Sequence, residues 1–244
     1  MANLHLAPPM TLGRITDVQR WVLPLAALVF GLLGFGAMTG LLVWDGPITN
    51  WVVASRSTGV DDVFRELSFL GSTKVVLLVS AIAALLAARK CPRLAIAIVV
   101  IALARPATEF LLKEVVSRDR PIGDRLVGGE GYSFPSGHPL ATVASWGTLP
   151  LVAALYTKRR ALWWAVAITV WTMVVLVAMS RVWLGVHWTS DVVASIALAV
   201  IGVAVAEKFV VRPQCGCSRD SREGVHAEHV GAHAVDRPVL ETTG

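Results

Sequence analysis

The apolar residues of this chain do not alternate with polar ones. They fall into six long blocks, separated by charged or glycine-rich stretches. The first block, 22–43, is 22 residues without a charge, and at about 1.5 Å per residue it covers a bilayer core of about 30 Å. It is longer than the apolar region of a signal peptide, no small-residue cleavage site follows it, and Trp21 and Trp44 flank it as interfacial anchors. The second block, about 67–88, is broken only by Lys74 and stops at Arg89, Lys90, Pro92 and Arg93. The third begins at Leu94 and, after Ala104, admits Arg105, Glu109 and Lys113; the remaining blocks cover about 139–155, 161–180 and 187–206. Residues 45–66 read as a polar loop, and 114–133 as a loop rich in charge and glycine. The pattern predicts an all-α fold, an integral membrane bundle of six transmembrane helices over 21–208. An N-terminal segment, 1–20, precedes it, and a tail, 209–244, follows with no amphipathic period and an expectation of disorder.

Composition sharpens the class. The 244 residues are 55% hydrophobic and only 16% charged, with a mean hydropathy of +0.64, which excludes an ordinary soluble domain. The net charge of +5 does not point to nucleic acid, because the basic residues cluster between apolar blocks as topology signals do. Six spans put Arg14 and Arg20, Arg89 to Arg93, Lys158 to Arg160, and Lys208 and Arg212 on one side. By the positive-inside tendency that side is cytoplasmic. Both termini are then cytoplasmic, and 113–138 and 180–191 share the outer face of a multi-pass cell-membrane protein. In the tail, Cys215, Cys217, His226, His229 and His233 fit no zinc spacing, so no metal is expected.

Three stretches on that outer face carry chemistry. Lys113 to Pro121 holds a lysine and several arginines, Pro135-Ser136-Gly137-His138 opens the fourth block, and Ser180 to Asp191 ends the fifth. If the sixth helix starts near His187, then His187 and Asp191 are i and i+4, so the carboxylate can hold one ring nitrogen and leave the other free. Taken singly, the cations read as snorkelling boundary residues and the Ser-Gly pair as a turn. Together, two histidines, a lysine and at least two arginines at a membrane surface read as a site for a phosphate ester. Gly137 allows close backbone approach, and Ser136 adds a hydroxyl where a helix begins.

These residues resemble the type 2 phosphatidic acid phosphatases, whose signature is K-x6-RP, PSGH and SR-x5-H-x3-D. Lys113 to Pro121, Pro135 to His138 and Ser180 to Asp191 match all three parts in order. The resemblance implies that His187 attacks phosphorus and forms a phosphohistidine, that Asp191 orients and polarises it, and that His138 protonates the leaving oxygen and later activates water. It further implies that Lys113, Arg120 and Arg181 clamp the phosphoryl oxygens, with Ser136 and the Gly137 amide adding hydrogen bonds. No cofactor or metal is then needed.

The expected substrate is a lipid phosphate at the outer membrane face. A polyprenyl diphosphate such as undecaprenyl or decaprenyl diphosphate leads, because no extramembrane domain exists to read a bulky head group. Phosphatidate and phosphatidylglycerol phosphate are the alternatives. Two other readings compete: a vanadate-holding haloperoxidase with similar motifs, and a transporter using the intramembrane charges Lys74, Arg105 and Glu109. Arg105, Glu109 and Lys113 are spaced i, i+4 and i+8 and so share one helix stripe. Glu109 is therefore expected to face the bundle interior, to pair with Arg105 or Lys74, and to support Lys113 from beneath the phosphate site.

Overall fold

The computed structural model describes residues 12–206, with side chains over 21–205. The tail, where disorder is expected, and residues 1–11 of the N-terminal segment lie outside the described residues. Among the described residues all regular structure is helical: α1 (Leu12–Thr39), α2 (Asp45–Ala54), α3 (Thr58–Phe69), α4 (Thr73–Ala88), α5 (Pro92–Val116), α6 (Gly137–Trp146), α7 (Leu149–Tyr156), α8 (Arg160–Trp183) and α9 (Thr189–Ala206).

Six uniform spans do not emerge. By length and composition four stretches can cross a membrane, Trp21–Thr39, Pro92–Val116, Gly137–Tyr156 and Arg160–Trp183. A fifth is added if α3 and α4, bent by 43° at their junction, count as one span, and Thr189–Val205 is a shorter apolar helix. The second apolar block is thus not one straight helix. It breaks at Leu70-Gly71-Ser72, and α4 restarts from Ser72 in an extended conformation (ψ 153°). Lys74, expected at mid-depth, is consequently exposed in the first turn of α4 and forms no ion pair among the described residues. The sixth block is short because 184–188 is spent on a turn. The stretch 45–66, expected as a loop, folds into α2 and most of α3.

Interior and exterior follow the membrane pattern, in which large apolar residues face out and small ones allow helices to approach. Leu25, Leu28, Leu32, Leu78, Leu85, Leu103, Phe110 and Ile168 are exposed. The contact of α4, α5 and α7 is built on Ala83, Ala84, Ala87, Leu94, Ala95, Ile98 and Val152. A second cluster, Leu140, Val143, Val174 and Ala199, joins α6, α8 and α9. Helix α6 is the hub, touching α4, α5, α8 and α9, while α1 runs along α9. Phe134, fully buried just ahead of α6, packs 6.0 Å from Phe30 of α1.

The chain gathers its polar connections at one end of this bundle. Helix α5 stops at Ser117, which adopts φ 48° and ψ 37°, a left-handed cap that closes the last turn. The loop 118–136 then crosses the same end as the α3–α4 bend and the 184–188 turn. The basic clusters at 89–93 and 158–160 lie at the opposite end, where the Tyr156 hydroxyl donates to the Leu86 carbonyl at 2.8 Å and Lys90 sits 5.8 Å over the Tyr156 ring.

Gly71 makes the bend possible. A Cβ there would lie 2.6 Å from Val177 Cγ1, 3.0 Å from Thr142 Oγ1 and 3.2 Å from His138 Cδ2, so side chains from α6 and α8 close on this one residue. Gly71→Val should destabilise the protein by about 1–3 kcal/mol through overpacking and lower turnover by displacing the His138 ring. Thermal unfolding in detergent with a parallel activity assay checks this; a variant with unchanged melting and turnover would show slack that these distances do not allow.

Candidate active site

His187 is positioned by a reversal of the chain after α8. Gly185 takes φ +74°, and a Cβ there would fall 2.7 Å from Arg56 Nη2 and 2.9 Å from the Asp124 carbonyl oxygen, so the turn requires glycine twice over. Arg56 ties it down by donating to the carbonyls of Trp183 at 2.8 Å and Asp124 at 2.7 Å. His187 lies in this turn, because α9 begins only at Thr189. The expected i, i+4 helical pairing is replaced by a helix cap: Asp191, in the first turn of α9, accepts the Trp188 N–H on Oδ2 at 3.0 Å, the return half of a capping box.

The partner of the His187 Nδ1 atom is therefore a backbone group. It lies 2.8 Å from the Ser133 carbonyl oxygen, whereas Asp191 Oδ2 is 3.7 Å away, too far for a hydrogen bond. A carbonyl only accepts, so Nδ1 carries the proton and Nε2 presents its lone pair. Burial pushes the His187 imidazole down to about 4; Asp191 opposes the shift, and Arg120 and Arg181 add to it. The ring is consequently neutral near pH 7, the form that can attack phosphorus.

Around Nε2 stand cations that form no ion pair with a carboxylate among the described residues. Arg120 approaches Nε2 to 3.2 Å and otherwise donates only to carbonyls, those of Gly131 (2.9 Å), Glu130 (2.7 Å) and Val186 (2.7 Å). Burial pushes this guanidinium below its ordinary value, with Arg125 adding to the effect and Asp191 and Glu109 opposing it. Arg181 is 6% exposed and donates from Nη1 to the Ser68 hydroxyl at the end of α3, while its Nε has no hydrogen-bond partner. Ser136 Oγ is likewise buried and unpartnered; it precedes α6 without capping it. A buried donor with no acceptor is costly. These orphans lie beside His187 and His138, the latter within electrostatic reach of Arg181, His187, Arg105 and Lys113. The His138 ring makes no hydrogen bond among the described residues.

The charged stripe of α5 reaches the same place. Glu109 bridges Arg105 Nη1 and Lys113 Nζ, each at 2.8 Å, so it pairs with Arg105 and Lys113 and not with Lys74. A Cβ on Gly137 would lie 2.3 Å from Glu109 Oε1, which places this carboxylate against the first residue of α6. Of the residues singled out in the sequence, Lys113, Arg120, Ser136, Gly137, His138, Arg181, His187, Asp191, Glu109 and Arg105 come together, and Lys74 does not.

Sequence reasoning missed several participants. Ser133 supplies the carbonyl that sets the His187 tautomer, and Ser68 supports Arg181. Arg118 holds Asp191 Oδ1 at 2.7 Å and Asp45 Oδ2 at 2.8 Å. Arg118 lies within the stretch from Lys113 to Pro121 and could have been weighed there. A serine carbonyl, and an aspartate 146 residues from Asp191 in a supposed loop, carry no local signal.

Comparisons with known proteins bear on the family and the fold. A family model described as the PAP2 superfamily matches residues 93–213. A stretch of 95 residues, 37% of the chain, is 34% identical to phosphatidylglycerophosphatase B of Bacillus subtilis (strain 168), and covers 45% of that protein's length. The fold is similar to the crystal structure of a transmembrane PAP2 type phosphatidylglycerolphosphate phosphatase from Bacillus subtilis, at a TM-score of 0.68 and 24% identity over 78% of this chain and 96% of that one. It is also similar to Aquifex aeolicus LpxE, at a TM-score of 0.54 and 18% identity over 67% and 94%.

Two outcomes follow from these contacts. Glu109→Ala leaves Arg105 and Lys113 buried without their shared acceptor, which should cost about 1–3 kcal/mol and lower turnover, and Arg105→Ala in the same molecule should restore part of the stability. Strict additivity in that double-mutant cycle would mean that the stripe is not a network. The second concerns pH. From an ordinary 6.5 down to the His187 value of about 4, the unfolded chain binds a proton that the folded chain refuses. This contribution is complete above pH 6.5 and is lost as pH falls towards 4, a change on the order of a few kcal/mol. The melting temperature of the wild type should fall more steeply over that window than that of His187→Phe; parallel curves would contradict a buried neutral imidazole.

Proposed function

Because this chain belongs to the PAP2 superfamily, we propose that it is a membrane lipid phosphate phosphatase whose phosphoryl group binds beside His187, between α5, α6 and α8. The observation that carries the reading is the pair of buried guanidinium groups, Arg120 and Arg181, facing a neutral imidazole and forming no ion pair with a carboxylate among the described residues. A dianionic phosphoryl group would supply the missing charge and accept from the orphaned Arg181 Nε and Ser136 Oγ.

In this mechanism His187 Nε2 attacks the terminal phosphorus in line with the leaving oxygen, which belongs to the lipid alcohol in a monoester and to the lipid monophosphate in a diphosphate. The N–P bond forms as the P–O bond to that oxygen breaks, giving a phosphohistidine. His138 gives its proton to the departing oxygen, then takes one from the water that attacks phosphorus and releases inorganic phosphate. Lys113, Arg120 and Arg181 hold the equatorial oxygens, and the Gly137 amide at the start of α6 adds a donor where charge accumulates. These cations serve where other phosphatases use metal ions, so the reaction is metal-independent. Since the basic clusters at 89–93 and 158–160 lie at the far end of the bundle, the positive-inside tendency puts the site on the extracytoplasmic face.

The substrate class is a lipid phosphomonoester or diphosphate. A polyprenyl diphosphate fits an outward-facing site over which, among the described residues, no separate domain lies. Phosphatidylglycerol phosphate is the second reading, favoured by the 34% identity to phosphatidylglycerophosphatase B.

Phosphate release by the purified protein from a polyprenyl diphosphate, phosphatidate and phosphatidylglycerol phosphate tests the proposal and ranks the substrates. Turnover should persist in chelator, stop with vanadate, and fall below about 1% in His187→Ala, since losing a nucleophile removes the covalent path. Residual activity of that variant above a few per cent, or a requirement for added Mg²⁺, would overturn the mechanism.

A further inference from the structure

One buried charged cluster is not used by the mechanism above. Asp45 opens α2 and is 1% exposed, in a stretch where hydropathy shows only polar loop. Its Oδ1 accepts the Ser190 N–H at 3.0 Å. Its Oδ2 accepts Arg118 Nη2 at 2.8 Å and the Ser190 hydroxyl. Arg118 Nη1 donates in turn to Asp191 Oδ1 at 2.7 Å and to Ser190 Oγ at 2.7 Å, with its guanidinium 5.3 Å over the Trp188 ring. One arginine thus joins two buried carboxylates, one from α2 and one from α9.

An ion pair that only fastened α2 to the bundle would be complete with Asp45 and Arg118. Here the second guanidinium nitrogen is directed at Asp191, and it makes the hydrogen bond on Oδ1. Oδ2 is left to the Trp188 N–H and to the side of the carboxylate that faces His187 Nδ1 at 3.7 Å. Without Arg118, Oδ1 would be a buried acceptor with no hydrogen-bond partner among the described residues, and the carboxylate would be free to rotate.

We propose that Asp45 and Arg118 are positioning residues for phosphoryl transfer. Asp45 orients Arg118, and Arg118 fixes the direction of the Asp191 carboxylate behind His187. When Nε2 forms its bond to phosphorus, the ring, still protonated on Nδ1, becomes a cation, and the fixed carboxylate stabilises that charge as it develops. Among the described residues neither Asp45 nor Arg118 forms a hydrogen bond or ion pair with Lys113, Arg120, Arg181 or Ser136, so the pair acts on the rate of attack and not on phosphate binding. This inference rests on His187 being the nucleophile of a phosphatase.

The test uses full-length protein in detergent, with kcat on a lipid phosphate that the wild type hydrolyses and with inhibition by orthophosphate as the binding probe. Arg118→Gln and the isosteric Asp45→Asn should each lower kcat by about 10- to 100-fold, as loss of the groups that orient a ligand or catalytic residue does. The inhibition constant for orthophosphate should stay within about twofold, Arg118→Lys should recover part of the rate, and the double variant should be no slower than Arg118→Gln alone. Equal losses in kcat and orthophosphate affinity, unchanged kcat, or multiplicative losses in the double variant would overturn the inference while leaving an active wild type as evidence for the phosphatase reading. If Arg118→Gln does not insert, Asp45→Asn carries the same comparison. A wild type that releases phosphate from no lipid phosphate would overturn the phosphatase reading, and this inference with it.

Discussion

Burying arginine without a carboxylate is the constraint around which the polar end of this molecule is built. A guanidinium removed from water needs its donors met, and Arg120 meets them with carbonyls from two separate segments, Glu130 and Gly131 in the loop after α5 and Val186 in the turn before α9. Three hydrogen bonds from one side chain therefore hold two otherwise irregular segments together. The same segments supply the Ser133 carbonyl and His187 itself. Satisfying the cation with carbonyls settles its hydrogen bonds but not its charge, and the charge that remains makes the site receptive to an anion. Stability and function draw here on a single geometry, a common compromise at sites whose fields are arranged for a ligand.

The apolar bundle contributes rigidity more than chemistry. Alanines in the contact of α4, α5 and α7 let helices approach closely enough that the residues at their ends hold fixed positions. Gly71 and Gly137 extend that closeness to the polar end, since each leaves space already occupied by neighbouring side chains, Val177 with Thr142 and the His138 ring close by in one case and the Glu109 carboxylate in the other. A glycine beside a charged group in a membrane bundle thus has a steric reason to be there, apart from any freedom of its backbone.

Much of this was legible in the sequence, for identifiable reasons. Long uncharged blocks predict helices because lipid leaves the backbone no other way to satisfy its polar groups. The motif residues converge because each sits at the end of an apolar block, and block ends gather at the membrane surface. The α5 stripe was legible from i, i+4 spacing alone. Hydropathy could not see that Leu70-Gly71-Ser72 would bend the second block, because the bend depends on packing against Val177 and Thr142. That bend moved Lys74 out of the interior. Nor could it find α2 and α3, which are held to the bundle by single side chains: Asp45 bonds Arg118 and Ser190, Asp61 accepts from the Trp183 indole at 2.8 Å, and Phe64 stacks on that ring at 4.7 Å.

The misplaced start of α9 is the most informative of these differences. Had His187 been helical, its ring would have shared a face with Asp191, and the carboxylate would have set its tautomer. Because the helix begins at Thr189, Asp191 is drawn back to cap Trp188, and the imidazole is free to reach a carbonyl on the opposite loop. Control of the His187 proton therefore passes from a charged group to a neutral one. A carbonyl fixes which nitrogen is protonated without strongly raising the basicity of the ring, so burial can keep the imidazole neutral. The carboxylate, 3.7 Å from Nδ1, remains close enough to stabilise a positive charge on the ring. Orientation and charge stabilisation, which one hydrogen bond would have fused, are held by two residues from different segments, and each can be altered without the other.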